Sequence, residues 1–238
     1  MAKLTAMTNI NNALQNSALH TAKVWNAFHS IAEGPTAAFK ADPGTDPKVP
    51  ELIPDSKTFM ALSRNEKITF ASSAKHNGLL DKDLEWTDLT APIFGQLRNR
   101  LKTDYLKRGD ESIANFPSGL CTMFACAVLG FLARNHHLLD NGSVVELFNY
   151  QGEQGGHAFV VVNRAGTEND VDSWGAACYT IDPWYARHRL NAPGSNAVKD
   201  MTAGTNYSDL AFNQFLKDAN SRKVHVTFTH LDLINTFI

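Results

Sequence analysis

The sequence predicts an α+β protein in which an apolar helix packs on an antiparallel sheet and additional helices precede this core. Two observations predict this class. Apolar residues recur at helical intervals through the first half of the chain, and the period then changes to the alternation of strands. Three strand patterns follow one another without an intervening helix, which favours antiparallel pairing over a parallel α/β sheet.

The N-terminal region is predicted to consist of a helical segment and a linker. Apolar residues at helix-like spacing over residues 4–32 predict helix, and Gly34-Pro35 ends it. Five of the nine prolines fall between Pro35 and Pro54, where neither a helix nor a central strand is tolerated. The predicted parts are a helical segment at 1–34, a proline-rich linker at 35–56 and a main domain at 57–238.

The main domain is predicted to begin with helices and to continue as a sheet. The pattern over residues 57–109 is helical, with Thr90 and Pro92 at the start of one helix and Gly109 at its end. The apolar helix CTMFACAVLGFLAR comes next. The strand patterns are Val144–Gln151, His157–Arg164 and Ala176–Asp182, and a helix over Ser208–Ala219 and a last strand in VHVTFTHL follow them.

The bulk composition excludes several classes of protein. The formal net charge of −2 gives no basic balance that would attract nucleic acid. No segment has the apolar length of a membrane span, and the N-terminus lacks the apolar core of a secretory signal peptide. Three cysteines fit reduced thiols better than a disulfide framework. We therefore expect a cytosolic working site, which includes a host cytosol reached through a secretion machine without a cleavable signal.

Cys121, His157 and Asp182 occur in an order and at positions typical of a thiol hydrolase. Cys121 opens the apolar helix, His157 opens the strand HAFVVVNR, and Asp182 ends the strand ACYTID. A thiol becomes a strong nucleophile when a base removes its proton and a third group orients that base. Cys121 alone follows a turn-rich loop at a helix start, where the helix dipole stabilises a thiolate, whereas Cys126 and Cys178 lie inside apolar runs.

Each of these three residues also has a purely structural interpretation. Cys121 can be one more buried apolar residue, His157 a histidine at a strand edge, and Asp182 a turn residue before proline. Other residues compete for the same roles. The competitors are the pair His136 and His137, which follow the apolar helix, and Asp170 and Asp172, which lie in a polar turn.

The transition state also needs donors to an oxyanion. The backbone N–H of Cys121 is the natural first donor. A side-chain amide upstream is the usual second donor, and the candidate is Asn115, with Gln151 and Gln154 as alternatives. The sequence has no CxxC or HExxH motif, so neither a metal nor another cofactor is expected.

The segments SGLC, GGHAFVVV and TIDPW together resemble papain-like cysteine hydrolases, in particular bacterial effectors and toxins with a Cys-His-Asp triad such as the YopT-like and glutaminase-like families. The resemblance covers about residues 112–187 and implies Cys121 as nucleophile, His157 as base and Asp182 as orienter. Asn115 would stand where the family has glutamine. His157 lies 36 residues after Cys121, against about 130–150 in papain, so the resemblance is to the compact core shared with transglutaminases and arylamine N-acetyltransferases.

The expected function is therefore hydrolysis of an amide in a protein substrate, either a peptide bond or a glutamine side chain. Two alternatives stay open. One is acyl transfer to an amine, as in a transglutaminase, and the other is a protein-binding module in which the three residues coincide by chance. We further expect the N-terminal helices and the linker to cover the cleft or to hold a partner.

Overall fold

The computed structural model describes residues 3–21, 23–24, 56–76, 79–115, 118–119, 121–152, 155–190, 196–201 and 221–235. The chain divides into two compact units, one formed by Met1–Thr45 with Leu106–Ile238 and the other by Asp46–Tyr105. The first unit combines helices with a five-stranded antiparallel sheet. The predicted α+β class is thereby confirmed.

The described helices are α1 (Lys3–Gln15), α2 (Ala18–Thr21), α3 (Ser56–Ala61), α4 (Arg64–His76), α5 (Ala91–Asn115), α6 (Cys121–Arg134), α7 (Pro183–Leu190) and α8 (His230–Ile234). The described strands are β1 (Lys23–Val24), β2 (Ser118–Gly119), β3 (Val144–Gly152), β4 (Gly155–Val162), β5 (Tyr179–Ile181), β6 (Val198–Asp200) and β7 (Ser221–Thr229). Short 3-10 turns lie at Trp86–Asp88, His136–Leu138 and Val171–Ser173.

The five-stranded sheet has the order β6-β5-β4-β3-β7, and every neighbouring pair is antiparallel. β4 is the central strand, and every residue from His157 to Val162 is buried, so both of its faces are covered. On one face, Phe159 and Val161 pack in a cluster with Trp174. Because side chains alternate along a strand, His157 lies on this same face.

The nucleophile helix predicted from the sequence, α6, packs against β4. Residues Met123–Ala133 of α6 are all buried. A helix that is apolar on all sides belongs in the interior of a domain, which explains the continuous hydrophobic run in this segment. Burial of the whole helix fixes the position of its first residue, Cys121.

α1 belongs to the unit that contains the sheet. Ala6, Ile10 and Leu14 are buried on one face of the helix. Lys3 forms an ion pair with Asp200 of β6, and its Nζ donates to the carbonyl of Ala176 at 2.8 Å. The N-terminal helix is therefore part of the same packed unit as β4 and α6.

The predicted division into 1–34, 35–56 and 57–238 stays a prediction. Helical spacing shows that one face of α1 is apolar, but it does not show which element that face contacts. The residues 25–55, which include nearly all of the predicted proline-rich linker, lie outside the described residues.

Several predicted elements have different bounds in the structure. The helix predicted over residues 4–32 is divided into α1, α2 and β1. The strand predicted over Ala176–Asp182 is confined to β5, because Gly175 has φ +83° and accepts a hydrogen bond from the N–H of Cys178, which makes a turn. β6 has only three residues, which is too short for an alternation of apolar and polar residues that would predict a strand. The predicted helix Ser208–Ala219 lies outside the described residues.

Gly109 lies inside α5, which continues to Asn115, and the predicted helix end at this glycine is wrong. A Cβ atom at position 109 would lie 1.8 Å from the backbone oxygen of Cys126 in α6. The backbones of the two helices therefore approach each other too closely for any side chain. Close packing against α6, and not termination of α5, explains this glycine.

The second unit, Asp46–Tyr105, has an apolar core of its own. Phe59, Phe70 and Phe94 come from α3, α4 and α5, and their ring centroids lie 5.0 to 6.1 Å apart. Such tilted and edge-to-face arrangements are favourable for aromatic rings. The unit is therefore held together by contacts among its own helices.

Beside the aromatic cluster of the first unit, Glu146 and Arg164 form a nearly buried ion pair with two hydrogen bonds, of 2.7 and 2.9 Å. We expect Arg164→Met to lower the free energy of unfolding by about 3–5 kcal/mol, because it leaves a carboxylate without its cation in the interior. Urea unfolding measures this change. The double variant Glu146→Leu/Arg164→Met removes both charges and is expected to be clearly more stable than the single variant; a double variant that is equally unstable would contradict this account.

Candidate active site

Cys121 lies at the N-terminus of α6, where backbone N–H groups and the helix dipole favour an anion. The strand β2 comes shortly before it and pairs in parallel with β1, so that a segment near the N-terminus of the chain adjoins the start of α6. Cys121 is partly exposed, whereas Cys126 and Cys178 are buried. Cys121 is thus the most exposed of the three cysteines.

His157 is the third residue of β4 and is 5% exposed. Its cross-strand partner in β3 is Tyr150, and the centroids of the two rings lie 5.9 Å apart. The ring of Phe159, two residues along the same strand, is stacked on the imidazole at 5.7 Å with an interplanar angle of 19°. The strand register and these rings fix the orientation of the imidazole.

Asp182 directly follows β5, the neighbour of β4 in the sheet. Its Oδ1 accepts a hydrogen bond from the backbone N–H of Tyr185 at 2.9 Å, and its backbone carbonyl accepts from Ala186. Asp182 is therefore the N-cap of α7, and Pro183 occupies the first helical position, which proline favours. In the sequence, the Asp-Pro pair predicts only a turn. In the structure it also starts α7, and the N–H of Tyr185 in the first turn of this helix holds one carboxylate oxygen in place.

The structure brings Cys121, His157 and Asp182 together. The Nε2 atom of His157 lies 2.5 Å from Oδ2 of Asp182, and the imidazole is close enough to Cys121 to lower the pKa of its thiol. Because Asp182 binds Nε2, Nδ1 is the ring nitrogen that could take a proton from the thiol. The carboxylate accepts the Nε2 proton and so selects the tautomer in which Nδ1 can take the thiol proton.

The electrostatics of the site favour a thiolate and an imidazolium. Burial disfavours the Cys121 thiolate, but the interaction with the His157 imidazolium, together with the Ala158 N–H, outweighs burial and lowers the pKa of the thiol. Burial likewise disfavours the imidazolium, but the Asp182 carboxylate and the nearby Cys121 outweigh it and raise the pKa of His157 to about 10. Both shifts favour transfer of the thiol proton to the imidazole.

Aromatic side chains enclose the His157–Asp182 contact. The centroids of the Trp184 and Tyr185 rings lie 5.1 and 6.1 Å from that of His157. Both residues belong to the first turn of α7, which Asp182 caps. Exclusion of water strengthens the electrostatic interaction of the imidazole with the carboxylate.

The other two cysteines are buried. Cys126 lies within the buried part of α6. Cys178 is fully buried, and burial raises the pKa of its thiol to about 12. Cys121, by contrast, is partly exposed and its thiol has a lowered pKa.

The backbone N–H of Cys121, predicted as one oxyanion donor, lies at the start of α6, and the second donor predicted from the sequence is not located. Asn115 is the last residue of α5, and its side chain lies outside the described part of the chain, as does Gln154. Gln151 pairs with Gly156, and its Oε1 would lie 2.4 Å from a Cβ at that position. By strand alternation this is the face opposite the His157 ring, and the assignment of the second donor stays a prediction.

The competing residues lie elsewhere. Asp170 and Asp172 belong to the 3-10 turn that follows β4, while Asp182 contacts His157. His136 follows the C-terminal end of α6, opposite Cys121, and its carbonyl is 3.0 Å from Nε2 of His230. This contact joins the turn after α6 to α8.

Sequence reasoning missed three contributors to the site: the Ala158 N–H that helps to lower the pKa of Cys121, the Tyr185 N–H that binds Asp182, and the pairing of β1 with β2. The sequence does contain a signal for the Tyr185 contact. An aspartate followed by proline is a typical helix start, in which the aspartate side chain accepts from an N–H of the first turn. The other two have no local signal, since each joins segments that are distant in sequence.

Within the described ranges, no helix combines the length and the apolar character needed to cross a bilayer, and no group of three or more His, Cys, Asp or Glu side chains could hold a metal ion. No model of a protein family matches the sequence, and comparisons with curated proteins and with solved structures likewise give no match.

Proposed function

We propose that the protein is a cysteine hydrolase that cleaves an amide of a protein substrate, either a peptide bond or a glutamine side chain. The observation that carries the proposal is the grouping of three side chains: His157 hydrogen-bonds Asp182 and lowers the pKa of the Cys121 thiol, and Cys121 begins a buried helix. Nucleophile, base and orienter within hydrogen-bond reach are the geometric requirement for covalent thiol catalysis.

The reaction follows from the charges in the site. The Cys121 thiolate attacks the amide carbonyl, and the resulting oxyanion is stabilised by the N–H of Cys121. The His157 imidazolium then gives its proton to the nitrogen as the C–N bond breaks, which releases an amine or ammonia and leaves a thioester. His157 next removes a proton from water, which attacks the thioester. The C–S bond then breaks, the carboxylic acid is released, and the Cys121 thiol is regenerated.

We further propose that the architecture is a compact papain-like or transglutaminase-like core. Support comes from the arrangement of three parts: a buried helix that begins with the nucleophile, a central strand that carries the base, and the adjacent antiparallel strand that ends at the orienter. The three free cysteines fit the proposed cytosolic working site, including delivery into a host cytosol as an effector.

Thiol labelling tests the activation of Cys121. In iodoacetamide labelling at pH 6, followed by mass spectrometry of each cysteine peptide, we expect Cys121 to react at least about tenfold faster than a free thiol of ordinary pKa such as glutathione. The sign follows from the lowered pKa of Cys121, which keeps a larger thiolate fraction at acidic pH. Cys126 and Cys178 are expected to stay unlabelled. A rate for Cys121 no faster than that of glutathione would overturn the proposal.

The product distinguishes the possible reactions. A protein substrate such as casein, incubated with the enzyme, gives new N-termini if peptide bonds are cleaved and free ammonia if glutamine is deamidated. Added methylamine becomes incorporated only if the thioester is resolved by an amine, which is the transferase alternative. A Cys121→Ala variant is the control for each product.

A further inference from the structure

A buried lysine lies next to the elements that hold the proposed active site. Lys199 is the middle residue of β6 and is only 7% exposed, although lysine is rarely buried in proteins. Burial of an ammonium group is costly unless the surrounding groups stabilise it. The position of this side chain therefore calls for an explanation.

The sheet register places Lys199 on the same face as the imidazole of His157. Lys199 pairs with Thr180 in β5, and Thr180 pairs with Val161 in β4. Cross-strand partners lie on the same face of a sheet, and Val161 and His157 share a face because they are four residues apart in one strand. Asp182, two residues beyond Thr180, follows the same alternation.

The ammonium group of Lys199 lies over the ring of Tyr185, with its Nζ 4.5 Å from the ring centroid. This distance is within the range of a cation–π interaction, which is strongest when both groups are removed from water. Tyr185 is buried and in turn contacts both members of the charged pair: its N–H donates to Asp182, and its ring lies 6.1 Å from that of His157.

We propose that Lys199 is a positioning residue of the active site, which through the Tyr185 ring holds the first turn of α7 and with it the Asp182 carboxylate against His157. The inference rests on the proposed function. Lys199 has no part in bond making or breaking; it acts on the geometry of the Asp182–His157 contact. A small displacement of a catalytic group can lower a rate about a hundredfold. The rate is therefore expected to depend on the packing of Tyr185 and Lys199 next to this contact.

The test is the rate of Cys121 alkylation by iodoacetamide across pH in the full-length chain. Lys199→Met keeps the length of the side chain and removes the charge; we expect it to slow alkylation at pH 6 by about tenfold or more and to move the midpoint of the pH profile upward. Lys199→Arg keeps a cation that can stack on an aromatic ring and is expected to restore most of the rate.

Thr180→Val is the matched control. Thr180 neighbours Lys199 on the same face, is fully buried, and its hydroxyl has no hydrogen-bond partner among the described residues. Valine has nearly the same shape but no hydroxyl, so this variant changes a buried side chain at the same place and leaves the cation intact. We expect its alkylation profile to equal that of the wild type, and a loss as large as that of Lys199→Met would assign the effect to packing and overturn the proposal.

Circular dichroism and thermal unfolding of each variant show whether it folds. If Lys199→Met does not fold, Tyr185→Leu and Tyr185→Phe replace it as the test, since both keep the N–H to Asp182 and only phenylalanine keeps the ring. Slow alkylation in the leucine variant with a near-normal rate in the phenylalanine variant supports the positioning role, and equal rates overturn it.

The outcomes distinguish a failure of the proposed function from a failure of the role of Lys199 alone. Slow alkylation of Cys121 in the wild type overturns the proposed function and the role of Lys199 with it. Fast alkylation in the wild type together with an unchanged rate and midpoint in folded Lys199→Met overturns only the role of Lys199.

Discussion

A His157→Gln variant is expected to alkylate Cys121 about a hundredfold more slowly than the wild type at pH 6. The interaction with the imidazolium lowers the pKa of the thiol against the opposing effect of burial, so removing the imidazolium leaves burial to raise that pKa. A thiol with an ordinary pKa of about 8.5 is less than about 1% ionised at pH 6. Hydrolysis is expected to fall by at least about a thousandfold, because the base also serves in the later proton transfers.

The control for this variant must separate reactivity from stability. The His157→Gln change leaves Asp182 as a buried carboxylate without its charged partner, which costs about 3–5 kcal/mol of unfolding free energy. His157→Gln/Asp182→Asn replaces the charged pair by two neutral amides, and asparagine is still a good N-cap for α7. We expect the double variant to recover most of the stability and none of the reactivity; recovery of fast alkylation would contradict the assigned role of His157.

Gly109→Ala is expected to destabilise the protein by about 3 kcal/mol or more. The added Cβ would lie 1.8 Å from the backbone oxygen and 2.5 Å from the backbone carbon of Cys126, so α5 and α6 would have to move apart. Overpacking of well-packed interiors typically costs about 1–3 kcal/mol, and here neither contacting atom belongs to a side chain that can rotate away. Urea unfolding followed by circular dichroism measures the change.

Gly95→Ala in the same helix is the matched control. A Cβ at Gly95 has no atom within 4 Å, so alanine adds no clash and is expected to stabilise by about 0.5–1 kcal/mol, because it reduces the conformational freedom of the unfolded chain. A destabilisation of similar size at both positions would mean that the close approach of α5 to α6 is not what makes Gly109 necessary. Because α6 begins with Cys121, we also expect Gly109→Ala to slow alkylation at this residue.

Local sequence patterns predicted the elements that carry the candidate site. The all-apolar run after Cys121 predicts a buried helix, and the alternation after His157 predicts a strand; both are present. The Asp-Pro pair predicts the end of a strand at Asp182, and β5 ends one residue before it. These predictions succeed because helical periodicity, strand alternation and proline geometry depend on residues that are near one another in the chain.

Contacts between distant segments could not be predicted in the same way. The helical spacing of α1 was visible, but its ion pair with β6 joins residues at opposite ends of the chain, Lys3 and Asp200. Gly109 predicts a helix end from its backbone freedom, whereas the structure shows it in a helix crossing. Gln151 is an acceptable amide donor by sequence, and only the register with Gly156 shows which face of the sheet carries its side chain.

The sequence by itself determined the α+β class and, among three cysteines, indicated Cys121, because the class and the helix start depend on local patterns. Only the tertiary structure decided that His157 binds Asp182 and lowers the pKa of Cys121. It also decided that the N–H of Tyr185 binds Asp182 and that the Lys199 ammonium group lies over the Tyr185 ring. The reason is physical: these contacts depend on the antiparallel register of three strands and on the packing of α6 and α7, which bring together residues that are distant in the chain.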